Sequence, residues 1–347
     1  MTDFRTPDKP RPGDRVAVVS PSSGLPGLLP LPYELGLRRL REEFGLVPVE
    51  YPMTRTMGSS PQARAADLHA AFADPDIKAV ISSIGGDDQI TVLPHLDADL
   101  LRANPKPFFG YSDCTNLLMY LWNLGIVGYH GGSVMVEHGR PGALHPVTEK
   151  SLRAALLGSG EYALTASADF REDDRPWDDP ATFTGPPPME PSPGWTWHLP
   201  NRVVRGRSWG GNLEIVSWLL MADRGIRPPD AYDGCVLFLE TSEELPSDQE
   251  VFRILRNMGE RGLLRRFPAL LMGRAKSWAL DRRLTPAERT AHREAQRAAV
   301  LRAFADYAPD AMIVFDVEFG HTDPQVVIPY GGLVRVDGPA RTITVTY

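Results

Sequence analysis

Cysteine is nearly missing from this chain. Only Cys114 and Cys235 occur among 347 residues, so no disulfide framework can be read. Long hydrophobic runs are missing as well. The longest, around residues 117–124, is interrupted far short of the about 20 apolar positions that cross a bilayer. The opening stretch MTDFRTPDKPRPGDR holds no apolar signal-peptide core. Positive charge is in deficit: 37 Lys and Arg against 44 Asp and Glu leave a net charge of −7. Such a balance argues against phosphate backbones as partners. The expectation is a cytoplasmic protein with neither a membrane nor a nucleic-acid partner. Familiar ligand fingerprints are also lacking. There is no G-x-G-x-x-G after the first apolar run, no G-x-x-x-x-G-K-[ST], no H-E-x-x-H and no C-x-x-C. Dinucleotide, nucleoside triphosphate and zinc chemistry lose ground accordingly, and neither a cofactor nor a metal is expected.

What is present is an α/β alternation. Short apolar runs at residues 15–20, 77–83, 107–111 and 126–130 read as buried strands. Between and after them, residues 33–44, 62–73, 115–124 and 146–157 carry helical periodicity, with Thr148 a candidate cap for the last. The pattern resumes with strands at 203–207, 235–240, 269–272 and 312–316, and helices at 212–221, 248–258 and 286–306. Residues 326–329 and 342–346 finish as short strands. Between the two halves, Pro, Asp and Trp dominate and periodicity fades. Three regions follow: an N-terminal parallel α/β domain over 1–165, a Pro/Trp-rich loop or linker over 166–202, and a C-terminal domain over 203–347.

The chemistry-bearing residues sit at strand ends. Ser112, in GYSDC after the strand PFF, stands at a strand-to-helix turn. There a hydroxyl is exposed and the following N–H can meet an oxyanion, although an ordinary Ser N-cap explains the same pattern. Cys114 reads as a buried structural thiol. Gly85-Gly86 ends another strand, and Asp87-Asp88 suits a helix N-terminus. Glu240 ends the apolar strand CVLFLE and opens the acidic stretch TSEE. His321 lies in FGHTDP after MIVFDV, and a serine nucleophile needs such a base and an acid to orient it. His95, His130 and Asp316 remain pocket candidates, whereas His69, His138, His145 and His292 read as surface or helix residues. Gly210-Gly211-Asn212 reads as a strand-to-helix turn with Asn212 at the cap.

Six segments together resemble the LD-carboxypeptidases and the related microcin C immunity-type serine peptidases. They are GDRVAVVSPSSG, SSIGGDD, FFGYSDCTNLLMYLWNLGIVGYHG, RGRSWGGNLEIV, LFLETSEE and FGHTDPQVVIPYG. The resemblance implies Ser112 as nucleophile, His321 as general base and Glu240 as its orienting acid, with the N–H groups of Asp113 and Gly86 as the oxyanion hole. It also implies a C-terminal domain of barrel-like mixed sheet, a homodimer, and Asn212 lining the pocket. The expected substrate is a small peptide or peptidyl-nucleotide conjugate cut near its carboxyl end. The long Asp/Pro/Trp segment is closer to the microcin-immunity branch, and murein tetrapeptide is the alternative substrate. Trp177 and Trp195 are the candidate ligand contacts, although Trp195 and Trp197 also suit a role anchoring the segment. A two-domain ligand binder without catalysis is the alternative from another class.

Overall fold

A computed structural model describes residues 4–347. Five strands, β1 (Arg15–Val19), β2 (Val47–Glu50), β3 (Ile77–Ser82), β4 (Phe108–Gly110) and β5 (Gly128–His130), pair in parallel in the order β5-β4-β3-β1-β2. Their crossovers carry α1 (Pro30–Glu42), α2 (Pro61–Ala73), α3 (Ala98–Ala103) and α4 (Thr115–Asn123). Continuous apolar runs such as Val16–Val19 are buried at every residue, as befits parallel strands covered on both faces. Helix starts follow local chemistry. At α2, Ser60 accepts a hydrogen bond from Ala63 N at 3.2 Å, and Pro61 takes the first helical position. At α5 (Pro146–Leu157) the cap is not Thr148 but His145, whose Nδ1 accepts from Val147 N. Thr148 Oγ1 instead accepts from Gln325 N at 3.0 Å, which ties α5 to the loop carrying His321.

The second sheet collects β6 (Glu161–Ala163) and, after the two-strand ribbon β7 (Asp169–Phe170) with β8 (Glu190–Pro191), strands β9 (Thr196–His198), β10 (Val203–Asn212), β11 (Val236–Glu240), β12 (Ala269–Gly273) and β13 (Met312–Val317). Strand β14 (Ile328–Tyr330) leaves this sheet, and β15 (Leu333–Asp337) with β16 (Thr342–Thr346) return to it. The order is β6-β16-β15-β10-β11-β12-β13-β9. Strand β10 changes partner midway: residues 203–207 run antiparallel to β15, and residues 208–212 run parallel to β11. Helices α6 (Leu213–Met221), α7 (Asp248–Glu260) and α8 (Pro286–Tyr307) fill the crossovers. The two sheets exchange strands. Strand β14 pairs antiparallel with β5 in the first sheet, while β6 joins the second. One continuous apolar core runs through both. None of the helices among the described residues is long and apolar enough to cross a membrane.

The segment at 166–202 is more ordered than its composition suggests. It contributes β9 as an edge strand on β13 and is clamped at Glu172. That fully buried carboxylate accepts from Ser277 N at 2.6 Å and Ser277 Oγ at 2.7 Å, and also pairs with Arg289 and Arg293 at 2.5 Å. Cutting one partner from such a network leaves buried charge uncompensated, at a cost of about 3–5 kcal/mol. Glu172→Ala is therefore expected to lower the urea midpoint and to make this segment the first site of limited proteolysis. A variant as stable and as resistant as the parent would show that the clamp contributes nothing.

Candidate active site

The carboxyl ends of strands from both sheets converge, the place where open α/β sheets hold ligands. Ser112 follows β4 and has φ 59°, the left-handed region that few non-glycine residues enter. Its side chain caps nothing, so the ordinary N-cap reading does not hold. The serine sits on a strained turn instead. Gly85, after β3, packs directly on it: a Cβ there would stand 3.0 Å from Ser112 Cβ and 3.2 Å from Oγ. Gly86 faces away, toward Ser22 and Ser23. Asp113 is buried, accepting from Gln89 N at 2.9 Å and Asn116 Nδ2 at 2.8 Å. Burial raises its carboxyl to about 6 despite those hydrogen bonds. Cys114 is buried against Ser82, and desolvation pushes its thiol up to about 12. That value is the opposite of a reactive thiolate.

Glu240 ends β11 with no exposed surface, and His321 follows β13. His321 Nδ1 lies 2.7 Å from Glu240 Oε2. Gly320 makes that approach possible, because it sits at φ 100° and a Cβ would fall 2.7 Å from the Glu240 carboxylate. Burial opposes ionisation of Glu240, but His321, His130 and Asn212 together hold it below its ordinary value. Burial likewise opposes a charge on His321, and Glu240 and Glu243 outweigh it to raise the imidazole to about 9. Asn212 caps α6 through Ile215 N, while its own N–H donates to Thr115 Oγ1 at 3.1 Å, joining the two halves beside Glu240. The His321 loop is held from two sides. Arg171 exchanges main-chain hydrogen bonds with Asp323, and Arg140 Nε reaches the Asp323 carboxylate at 2.9 Å.

Of the other candidates, His130 ends β5 fully buried with Nε2 4.0 Å from Glu240 Oε1, and burial lowers it to about 4. It is neutral and belongs to the site. Asp316 pairs with Arg297, and His95 ends the short 3-10 turn Leu93–His95. Asp88 is engaged by Arg64 at 2.6 Å. His138, expected at the surface, is buried. Trp195 donates its indole N–H to Glu318 Oε2 at 2.7 Å and packs beside Trp197, so it anchors the segment. Trp177 is half-buried, three residues beyond Asp174, which grips Lys276 at 2.7 Å. Reading the sequence passed over Glu243. It lies three residues past Glu240, in the acidic stretch TSEE that follows the strand, and that placement was the available signal. Its Oε2 stands 3.2 Å from His321 Nε2.

Comparison with known proteins gives the family of the chain. The LD-carboxypeptidase N-terminal domain profile matches residues 16–131, and the LD-carboxypeptidase C-terminal domain profile matches residues 205–336. The chain is 24% identical over 288 residues to the Microcin C7 self-immunity protein MccF of Escherichia coli, covering 82% of this chain and 78% of that one. It is 26% identical to a Bacillus subtilis protein named "Probable murein peptide carboxypeptidase", covering 96% and 92%. Among solved structures, an MccF-like protein from Streptococcus pneumoniae in complex with AMP superposes with a TM-score of 0.83 at 24% identity, over 96% of this chain and 99% of that one. MccF in complex with aspartyl sulfamoyl adenosine gives 0.82 at 22%, over 98% and 99%. With both profiles matched in order across most of its length, the chain belongs to the LD-carboxypeptidase family and is a hydrolase, a serine-type carboxypeptidase.

Proposed function

We propose that this carboxypeptidase hydrolyses an amide near the carboxyl end of a small peptide or peptidyl-nucleotide conjugate, using Ser112, His321 and Glu240. The observation that carries the reading is the strained Ser112, at φ 59° beside Gly85, at the same strand-end cluster as the 2.7 Å His321–Glu240 pair. Ser112 Oγ attacks the carbonyl. His321 takes its proton and returns it to the leaving amine, and Glu240 sets the tautomer and balances the imidazolium. The N–H groups of Asp113 and Gly86 receive the oxyanion. The Gly86 N–H belongs to the peptide shared with Gly85, which packs on Ser112. Labelling with a serine-directed phosphonate tests the assignment. An adduct mapped to Ser112 is expected, and a label on any other residue would remove Ser112 from the role.

The nucleotide branch rests on Trp177. Ordering some 30 residues of loop costs on the order of 1 kcal/mol per residue, which favours a lid or ligand contact over slack. Relatives in this family have been solved with AMP and with aspartyl sulfamoyl adenosine. Base–aromatic stacking contributes roughly 1–3 kcal/mol, so Trp177→Ala is expected to raise KM about tenfold for nucleotide-bearing substrates. A plain murein tetrapeptide should be unaffected. Equal loss on both would make the segment structural, and no loss on either would place Trp177 in solvent. By family resemblance Asn212, beside Glu240, also lines the substrate pocket. By family resemblance we also propose a cytoplasmic homodimer; light scattering on the eluting protein tests the dimer.

A further inference from the structure

Two buried polar atoms face each other across a gap beside the His321–Glu240 pair. Glu240 Oε2 is engaged by His321 Nδ1 at 2.7 Å. Glu240 Oε1, on a side chain with no exposed surface, has no hydrogen-bond partner among the described residues. His130 Nε2 stands 4.0 Å from it, and both nitrogens of that ring are likewise buried without a partner among the described residues. A buried carboxylate oxygen and a buried ring nitrogen left unpaired each bear the cost of lost hydration. At 4.0 Å the contact is longer than a hydrogen bond. It is also too short for a bridging water, whose two bonds span about 4.5 Å. A shift of about 1 Å closes it directly.

The backbone puts His130 where such a contact matters. It ends β5, between β4, which leads to Ser112, and β14, which follows the His321 loop. The ring packs edge-on against Tyr111, Phe238 and Phe319, with centroids 5.9, 5.3 and 6.1 Å away. These neighbours are aromatic, so shape sets the direction of the ring, and Glu240 Oε1 is the acceptor that Nε2 faces. Burial lowers the imidazole to about 4. The ring is therefore neutral at working pH, with hydrogen on one nitrogen and a lone pair on the other.

We propose that His130 is a positioning residue: in the working site it donates from Nε2 to Glu240 Oε1 and so holds the carboxylate with Oε2 turned to His321. This rests on the catalytic reading above and adds a fourth member to it. The effect is electrostatic as well as geometric. When His321 takes the Ser112 proton, the imidazolium must keep it until it reaches the leaving amine. A carboxylate whose other oxygen already accepts a hydrogen bond is a weaker base, so the proton stays on His321. Without that donor, Glu240 and His321 together hold a proton more tightly, and the free base is scarcer near neutral pH. The other titratable groups around this cluster are Glu137, Glu214, Glu243, Lys276 and Tyr111, and a change confined to His130 leaves them in place.

Two variants of similar size separate the donor from the packing. His130→Gln keeps an N–H near the Nε2 position, and His130→Met does not. Initial rates are measured across pH on an aminoacyl sulfamoyl adenosine and on a peptide ending in D-alanine, with a melting curve for each protein. His130→Met is expected to lose about 10²-fold in kcat with KM little changed, the scale of a catalytic group misplaced by about 1 Å. Its acid limb of kcat/KM should move up by about half a pH unit or more. His130→Gln should recover about tenfold of that loss and bring the limb back toward wild type. Equal rates in the two variants, or an acid limb common to both, would overturn the proposal. Nitrogen NMR of the wild-type protein reads the ring whatever the stability of the variants. His130 is expected as the tautomer with hydrogen on Nε2, and hydrogen on Nδ1 alone rejects the idea. Failure of the catalytic reading shows separately, as undiminished turnover in Ser112→Ala.

Discussion

Ser112→Ala is expected to lose turnover by a factor on the order of 10⁶ in kcat, the scale seen when a triad serine is removed. Removing a nucleophile that acts as a unit with its base leaves only binding and the oxyanion donors, so little catalysis remains. The fold should be untouched. Ser112 Oγ caps no helix, and alanine meets the same strain at φ 59° as serine does. Thermal unfolding should therefore shift by no more than about 0.5 kcal/mol in stability, as for a substitution that breaks no buried contact. The measurement pairs initial rates on the sulfamoyl adenosine and D-alanyl substrates with a melting curve. Activity within about tenfold of wild type would remove Ser112 from the chemistry, whatever its geometry.

Glu240→Gln is expected to cost about 10⁴ in kcat, the loss found when a triad acid is made neutral. Glutamine is nearly isosteric, so packing against Gly320 survives. What goes is the charge that balances the imidazolium and fixes which nitrogen carries hydrogen. The pH dependence of stability gives an independent reading. His321 is raised from 6.5 to about 9 in the folded protein. Its contribution to stability is thus fully present below about 6.5 and lost as pH rises through about 9. The stability gap between wild type and Glu240→Gln should be widest near pH 6 and shrink toward pH 10. At the alkaline end it should vanish or invert, because a buried carboxylate without its cation is itself costly. A gap independent of pH would mean that the pair does not hold a charged ring.

Much of the site was legible because it is local. Ser112 in GYSDC follows an apolar strand and precedes a helix, and a turn of that kind exposes a hydroxyl wherever it folds. Glu240 ends a buried apolar run and His321 lies in the loop just after another, and parallel strands put such ends on one side. The composition of residues 166–202 was read as loop. Its order comes from partners more than 100 residues away: Ser277, Arg289 and Arg293 on Glu172, and β13 beside β9. His138 was misplaced for a similar reason, since its environment is packed by Phe44 and Arg39 from α1 and the turn after it.

The amino-acid sequence by itself determined the two α/β halves, the strand-end positions of Ser112, Glu240 and His321, and a family membership carried by motifs in order. Tertiary structure decided the rest. Strand β14 returns to the first sheet and β6 crosses to the second, so neither half closes without the other. His130 arrives 4.0 Å from Glu240, and Glu243 turns onto the outward nitrogen of His321. The reason is physical. Periodicity reports which face of its own element a residue occupies, and an apolar run reports only that it is buried. Which edge a strand joins, and which of two neighbouring carboxylates faces a ring, depend on packing between elements about 80 to 200 residues apart, where no local pattern reaches.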